Sequence, residues 1–487
     1  MKVAFRADAS VQIGAGHVMR CLTLADALRA QGAQTQFLCR RLPGHLGGLI
    51  LAREHALAWL PDSASDAEAS YAVIAAEAPH DWLVVDHYAL GAEWERAQRS
   101  LVKNILAIDD LADRAHDCDL LLDQNLQEAG RYDARLPADC RLLIGPRYAL
   151  LRPQFAAARR HQVARTGRVR RLLVFFGGAD AGGETLKALA ALELLGRNDL
   201  EVDVVIGQAN PHHAAIAAAC RALPGAVLQR QVEDMATLMA AADLFLGAGG
   251  GSSWERCCLG LPALVVATAD NQVEQSVMLA QAGAQCYLGP AASVDIGRWA
   301  RTLACVLEMP HWLIHMARQG SNLVDGKGAE RVANYLLAEL IDLRQATVGD
   351  SAALHAWRNH PDTRRHAFDP AEIACETHER WLAKVLADPD CELLIAESGG
   401  AAVGVLRFDI SAGRTLVSIY LVPGLAGQGW GVRLLLAGEN WLRRQRADVR
   451  VLEADVSAGN LASSRAFQAA GFVPSQSRFR KDVHGSH

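Results

Sequence analysis

Residues 1–29 read MKVAFRADASVQIGAGHVMRCLTLADALR, and this stretch decides the fold of the N-terminal half. Residues 2–6 form a short apolar-rich run of strand length. A loop with Gly14 and Gly16 follows. Then Cys21, Leu24 and Leu28 fall at i, i+3 and i+7, one buried face of a helix over about 17–29. Strand, glycine loop and helix in that order open a parallel βαβ unit. The alternation continues: strands are expected at 35–39, 82–86, 104–109 and 120–122, and again at 171–176, 201–206, 244–247 and 263–267. A helix-rich, arginine-rich stretch at 155–171 separates the two series. Two doubly wound α/β domains are therefore expected, at 1–155 and 156–342, facing each other across a cleft.

A third unit, 343–487, follows a different order. After an opening strand come helices at 350–359 and 377–387, then strands at 392–397, 402–409 and 415–422. A helix at 432–446, a strand at 449–455 and a helix at 461–470 complete a compact α+β domain.

Composition narrows the function. The 487 residues are 51% hydrophobic and 21% charged, enough apolar material for several cores and unlike a disordered chain. Forty-nine Lys and Arg against 54 Asp and Glu give a net charge of −5, which argues against nucleic-acid and anionic-membrane partners. The longest apolar stretches, such as 172–176, are strand-length, far below the roughly 18 residues of a membrane span. Arg6 and Asp8 interrupt what a signal peptide would need as an apolar core. Eleven scattered Cys without a CxxC read as reduced thiols, so a cytoplasmic protein is expected. The oligomeric state stays open.

The loop Ile13, Gly14, Ala15, Gly16, His17 lies at the carboxyl end of the first strand, where open α/β sheets bind ligands. Glycines admit a ligand close to the backbone, and His17 opens the helix, a place that suits a neutral imidazole acting as base. A glycine turn with a capping histidine fits the same spacing. A dinucleotide fingerprint does not, because the third glycine of GxGxxG is missing. The flanks carry more. Arg6-Ala7-Asp8 and Gly16-His17-x-x-Arg20-Cys21-Leu22-x-Leu24-Ala25 are followed by Asp86-His87-Tyr88 and Ile108-Asp109-Asp110-Leu111. Leu122-Asp123-Gln124-Asn125 and Gly145-Pro146-Arg147-Tyr148 complete the set. With these motifs, about the first 340 residues resemble the UDP-sugar hydrolase of pseudaminic acid biosynthesis, which removes UDP from UDP-2,4-diacetamido-2,4,6-trideoxy-β-L-altrose. The resemblance implies a two-lobed, glycosyltransferase-B-like fold of two Rossmann-like domains, with His17 as catalytic base. It also implies Arg6, Asp8, Gly14, Gly16 and Tyr88 as contacts of the sugar nucleotide.

In the second half, Gly247-Ala248-Gly249-Gly250-Gly251-Ser252-Ser253 leaves a strand and enters a helix, so consecutive amides can face a diphosphate without a metal. Ser252 with Glu255 also fits a capping box, S-x-x-E. The segment resembles the nucleotide site of the lipid II-forming N-acetylglucosaminyltransferase. On that resemblance Glu255 binds ribose, and Gly250, Gly251, Ser252 and Ser253 cradle the pyrophosphate. Asn271 and Gln272 face the sugar and diphosphate, and Gly178 approaches the phosphates; by residue type alone these are ordinary turn residues. Asp117-Cys118-Asp119 is a DxD triplet of the kind that holds metals in some sugar-nucleotide enzymes. It precedes an apolar strand and such triplets recur by chance, so no metal is expected. Inverting hydrolysis needs a water placed behind C1, a base for its proton and amides for the charge on the leaving phosphate. Asp8, Asp86, His87 and Tyr88 are partners of the histidine or of the sugar, or else buried structural groups.

In the third unit, Gly424-Leu425-Ala426-Gly427-Gln428-Gly429-Trp430-Gly431 follows a strand and precedes a helix, another amide-lined anion site. With Asn460-Leu461-Ala462-Ser463-Ser464-Arg465-Ala466-Phe467 and Gly471-Phe472, residues 343–480 are similar to the GNAT acetyltransferases. Trp357-Arg358-Asn359 and Thr377-His378-Glu379-Arg380-Trp381 add a resemblance to the 4-amino-sugar N-acetyltransferase of the same pathway. It implies acetyl-CoA as cosubstrate, held by Leu421, Val422, Gly427, Gln428, Gly429, Trp430, Gly431 and Asn460. Two positions depart from the pattern: Ala426 opens the loop motif, and Phe467 replaces the Tyr that protonates the departing thiolate. Glu453, Asp455, Tyr420 and His378 are rivals for the acetyl-transfer base. The two resemblances imply consecutive reactions on a UDP-linked amino sugar. A transferase with an acceptor other than water, a hydrolase with an inactive third domain, and a sugar-nucleotide sensor are the alternatives.

Overall fold

The computed structural model describes residues 1–475 except 129, 209, 412–413, 447 and 458, so the end of the third segment, 476–487, lies outside the described residues. The chain divides into two units, Met1–Glu330 and Arg331–His487.

Two parallel sheets build the first unit. Among the described residues, one has seven strands: β1 (Lys2–Ala7), β2 (Gln34–Arg40), β3 (Ala56–Leu60), β4 (His80–Asp86), β5 (Val102–Ile108), β6 (Leu120–Asp123) and β7 (Arg141–Ile144). Their order is β3-β2-β1-β4-β5-β6-β7, so the winding reverses between β1 and β4. The other has six: β8 (Arg171–Phe175), β9 (Glu201–Ile206), β10 (Ala226–Arg230), β11 (Leu244–Ala248), β12 (Ala263–Ala267) and β13 (Cys286–Pro290). It runs β10-β9-β8-β11-β12-β13 and reverses between β8 and β11. A reversal point leaves a crevice outside the strand ends, because the helices on its two sides lie on opposite faces. The central strands read as unbroken apolar runs because helices cover both faces: all five residues of β11 and of β12 are buried.

The inner strands lie where the sequence puts them, whereas β3, β7, β10 and β13 carry no clear signal. They are edges or their neighbours; β10, for example, has no fully buried residue, so nothing forces an apolar run on it. The arginine-rich stretch also differs from expectation. The helix covers only Pro153–Arg160, and the chain beyond it is not helical. Its arginines serve carbonyls instead. Arg159 donates to the carbonyls of Cys258 (2.7 Å), Val324 and Ser321 (both 3.0 Å), and Arg165 to those of Ala242, Met239 and Leu259. Gly167 runs so close to Pro310 that a Cβ would meet its carbonyl oxygen at 2.2 Å.

The second unit holds a five-stranded sheet in the order β14-β15-β16-β17-β18, with β14 (Asp342–Gln345), β15 (Cys391–Ser398), β16 (Ala401–Ser411), β17 (Arg414–Leu421) and β18 (Val451–Glu453). Gly399 and Gly400, both at positive φ, make the two-residue turn between β15 and β16. β14 to β17 are antiparallel, whereas β18 joins β17 in parallel and only over Arg414, Thr415 and Leu416. Beyond Leu416 the two strands part, leaving one side of β17 unpaired as far as Leu421. The helix Trp430–Gln445 packs close on the sheet, since a Cβ on Gly438 would stand 2.5 Å from Leu406. Asn334 and Glu339 hold that helix through Arg433 and Asn440.

Gly247 shows how tightly the second parallel sheet is built. A Cβ there would sit 2.1 Å from the Phe175 carbonyl oxygen and 2.3 Å from the Phe245 ring. Gly247→Ala is expected to destabilise the first unit by about 3 kcal/mol, read as a lower urea midpoint at unchanged slope.

Candidate active site

β1 and β4 deliver their loops to the same point. The helix Gly16–Arg29 begins there with no side-chain cap, and His17 is buried in its first turn. Nδ1 of His17 lies 2.5 Å from Oδ1 of Asp86, the last residue of β4. That separation requires a proton between them, so Nδ1–H donates to the carboxylate and Nε2 is the ring nitrogen left for another partner. Asp86 is fully buried. Burial alone would push its carboxyl up, but Arg20 and His17 hold it well below the ordinary carboxylate range. Arg20 grips both oxygens, Nε to Oδ2 at 2.5 Å and Nη2 to Oδ1 at 2.7 Å, and reaches Asp110 with Nη1 at 3.2 Å. Tyr88 packs edge-on against the imidazole with ring centroids 4.6 Å apart. Burial and the charge of Asp110 push its hydroxyl up to about 12, so it is neutral at physiological pH.

Asp86 is thus the partner of the histidine, and the other expected contacts separate by burial. Arg6 is fully buried beneath the site, its guanidinium taken by Asp66, Asp8 and the Leu38 carbonyl. Asp8, also buried, receives Arg6 and the Arg40 amide, with His87 at 3.5 Å. Both support the floor, while Gly14, Gly16 and Tyr88 lie at the surface above it. Gly14 adopts φ +84, a left-handed conformation that favours glycine.

Across the cleft, Gly250 is at φ +108, and a Cβ on Gly249 would stand 2.6 Å from the Ser276 hydroxyl. The turn is therefore closed to side chains and presents backbone. The expected capping box does not form: the helix Ser252–Cys258 starts after Gly251 without a side-chain cap. Glu255 instead pairs with Arg152 at 3.3 Å; burial pushes its carboxyl up and Arg152 opposes this. Ser253 faces inward, accepting from the buried Arg256 at 3.0 Å. Ser252 is only partly covered. Gln272 folds over the turn, its amide oxygen accepting from the Thr268 amide at 3.0 Å. Asn271 hydrogen-bonds the Tyr88 hydroxyl, and Arg131 meets Glu274 at 2.5 Å, so the two sheets' loops touch at the histidine's mouth. Gly178 lies at the end of β8, where its carbonyl takes the Gly207 amide. Asp117 and Asp119 are occupied: Arg99 takes both, Arg96 the first and the Ile105 amide the second.

In the second unit the loop after β17 has Gly424, Gly427 and Gly429 at φ +91, +82 and +82, a conformation that side chains resist. Gln428 braces the Gly424 carbonyl, and Trp430 and Gly431 begin the long helix. Leu421 and Val422 are bonded to β16 on one side only. Asn460 caps the helix Leu461–Ala469 through the Ser463 amide, which commits its side-chain oxygen. Phe467 is buried against Phe472, with ring centroids 5.0 Å apart. His378 is buried between His355 and Trp381, whereas Glu453 is exposed beside Arg414. The family model of the acetyltransferase (GNAT) domain matches residues 341–473. This stretch is a GNAT domain. Its glycine turn and the end of β17, with Leu421 and Val422, are the features that the sequence reading assigned to coenzyme A.

The N-terminal part, about 40% of the chain, is similar to two bacterial proteins. The spore coat polysaccharide biosynthesis protein SpsG of Bacillus subtilis is 32% identical over 197 residues, 40% of this chain and 58% of its own. A UDP-2,4-diacetamido-2,4,6-trideoxy-β-L-altropyranose hydrolase of Campylobacter jejuni is 31% identical over 202 residues, 39% of this chain and 66% of its own. The chain thus spans under two thirds of either curated relative. A crystal structure of Acinetobacter baumannii MurG matches with a TM-score of 0.51 at 17% identity, over 69% of this chain and 99% of that one, a likeness of fold. Together they fit a two-lobed α/β architecture followed by the GNAT domain.

Sequence reasoning quoted Arg20 and Asp110 only as motif residues without a role, and missed Arg152. For Arg20 a signal exists: it follows His17 by three residues, which puts both on one helix face. Asp123, at the end of β6, is buried beside Tyr132 (2.9 Å) and the Asn125 amide (2.9 Å). Burial pushes its carboxyl up to about 7, against the pull of those two donors. The folded value lies above the ordinary value near 4, so the folded chain holds a proton that the unfolded chain releases. That contribution is complete in acid and fades as pH climbs through about 7. Melting temperature should fall between about pH 4 and 7, and Asp123→Asn should flatten that slope.

Proposed function

We propose that the first unit is a UDP-sugar hydrolase and that the GNAT domain is an acetyl-CoA-dependent N-acetyltransferase acting on the same amino-sugar nucleotide. The observation that carries the hydrolase is the His17–Asp86 pair at the winding reversal, its Nδ1 committed to the carboxylate, with Asn271 arriving from the opposite sheet. The named Campylobacter relative favours a 2,4-diacetamido-2,4,6-trideoxy-β-L-altrose unit on UDP. Water attacks C1, the bond from C1 to the β-phosphate oxygen breaks, and the electron pair leaves on UDP. The water's proton passes to Nε2 of His17, and the sugar is released with inversion. The amides of Gly250 and Gly251, with the half-buried Ser252, meet the diphosphate, Glu255 the ribose, and Asn271, Gln272 and Tyr88 the sugar. Gly14, Gly16 and Gly178 let backbone approach, and the reaction calls on no metal.

In the GNAT domain the 4-amine attacks the thioester carbonyl, the C–S bond breaks and coenzyme A leaves as thiolate. Gly427, Gly429 and Gly431 with Gln428 and Trp430 cradle its diphosphate, and Leu421 and Val422 pair with its pantetheine. Phe467 cannot donate a proton, so water protonates the thiolate. Acetylation first and hydrolysis second is the order that yields a diacetamido sugar. The reduced thiols fit a cytoplasmic setting: the eleven cysteines are free.

Incubation with the diacetamido UDP-sugar alone should release UDP, and ¹⁸O from labelled water should enter the sugar; a glycosyltransferase or a sensor would release none. His17→Ala should lower turnover by about 10²- to 10⁴-fold while leaving UDP affinity nearly unchanged. Mass analysis of the 4-amino UDP-sugar with acetyl-CoA should show one added acetyl group. Gly429→Val, forced into φ +82, should raise the acetyl-CoA KM at least about tenfold.

A further inference from the structure

We infer that Arg20 is a positioning residue that keeps His17 a free base, acting through the carboxylate the two share, with Asp110 as the counterweight that moderates it. The inference rests on the reading of His17 as the hydrolytic base. A buried carboxylate alone beside an imidazole draws a proton onto the ring and stabilises the imidazolium, whose Nε2–H is useless for activating water. Asp86 is not alone. Arg20 donates to both of its oxygens at 2.5 and 2.7 Å, and the same Nη2 lies 3.3 Å from Nδ1 of His17. The guanidinium therefore neutralises Asp86 and also stands against a second positive charge on the ring. Its Nη1 is pulled the other way, to Asp110 at 3.2 Å. One cation divided between two carboxylates gives each a lever on the ring.

The remaining groups around the ring are neutral or turned away. Cys21, on the same helix, points its thiol at Asp86, and burial pushes that thiol well up, so it carries no charge. Tyr88 is a neutral phenol, and Asn271 bonds to it from the other sheet. His87 faces Asp8, away from Asp86. The balance at His17 is thus set by Asp86, Arg20 and Asp110.

The two levers have opposite signs, which a structural role would not produce. Arg20→Met should move the acid limb of kcat/KM for UDP release to higher pH by about one unit or more. Asp110→Asn, which leaves Arg20 wholly to Asp86, should move it to lower pH. Arg20→Lys should stay near the parent limb. Nitrogen-15 NMR of the His17 ring in the full chain without substrate should show the same opposite order in the pH at which Nε2 gains its proton. Limbs that stay put while kcat drops at every pH, or that move together, would overturn the inference. Should Arg20→Met fail to fold, Asp110→Asn and Arg20→Lys decide by NMR. If the parent enzyme releases no UDP, the hydrolase reading falls, and the ring titration still tests Arg20.

Discussion

One buried carboxylate organises the front of the first unit. Asp86 terminates a central strand, beside the point where the winding of the sheet reverses, and its charge is balanced by a guanidinium and an imidazole from the first helix. An ionised buried carboxylate is costly unless satisfied from several sides, so helix, strand and loop are locked into one arrangement. Alignment of the first helix on the sheet and alignment of the imidazole in the cleft are therefore the same event. Arg6, Asp8, Asp66 and Arg40 form a second ionic layer just beneath, which fixes the strand ends from the inside.

The opposite sheet brings a glycine turn to the cleft. There the backbone bends at Gly249, Gly250 and Gly251, with the Ser276 hydroxyl and Gln272 close against the first two. The two halves thus differ in chemistry, an imidazole–carboxylate pair in one and a glycine turn in the other, and both lie at a reversal of winding. The GNAT domain has a glycine turn again, with three glycines held at positive φ ahead of a sixteen-residue helix.

Much of this architecture was written in the periodicity of the chain. The central strands and the first helix declare themselves because burial on both sides demands continuous apolar runs or a regular stripe. Edge strands such as β10 do not, since half of their surface faces water. Motif resemblance pointed to His17 and to the glycine turns. It did not separate Asp86, which bonds the ring, from Asp8, which lies under the floor, because both are acidic residues at strand ends. Only three-dimensional proximity distinguishes them. The S-x-x-E pattern at Ser252, the alternative to a ribose contact, does not form a cap for a related reason: the spacing permits one, but Arg152, about a hundred residues away in sequence, takes Glu255 instead. The stretch 155–171 was read as helix-rich, yet the helix stops at Arg160, and Arg165 beyond it donates to carbonyls of residues far along the chain.

The bond between Asn271 and the Tyr88 hydroxyl has a thermodynamic consequence for whatever lodges in the cleft. A sugar lying between them must part the two, so its own hydroxyl and acetamido groups replace a polar contact already present. Such an exchange is close to neutral in free energy. On the proposed reading, grip then comes from the nucleotide end, and the sugar is loosely held in the ground state and free to shift as its ring flattens.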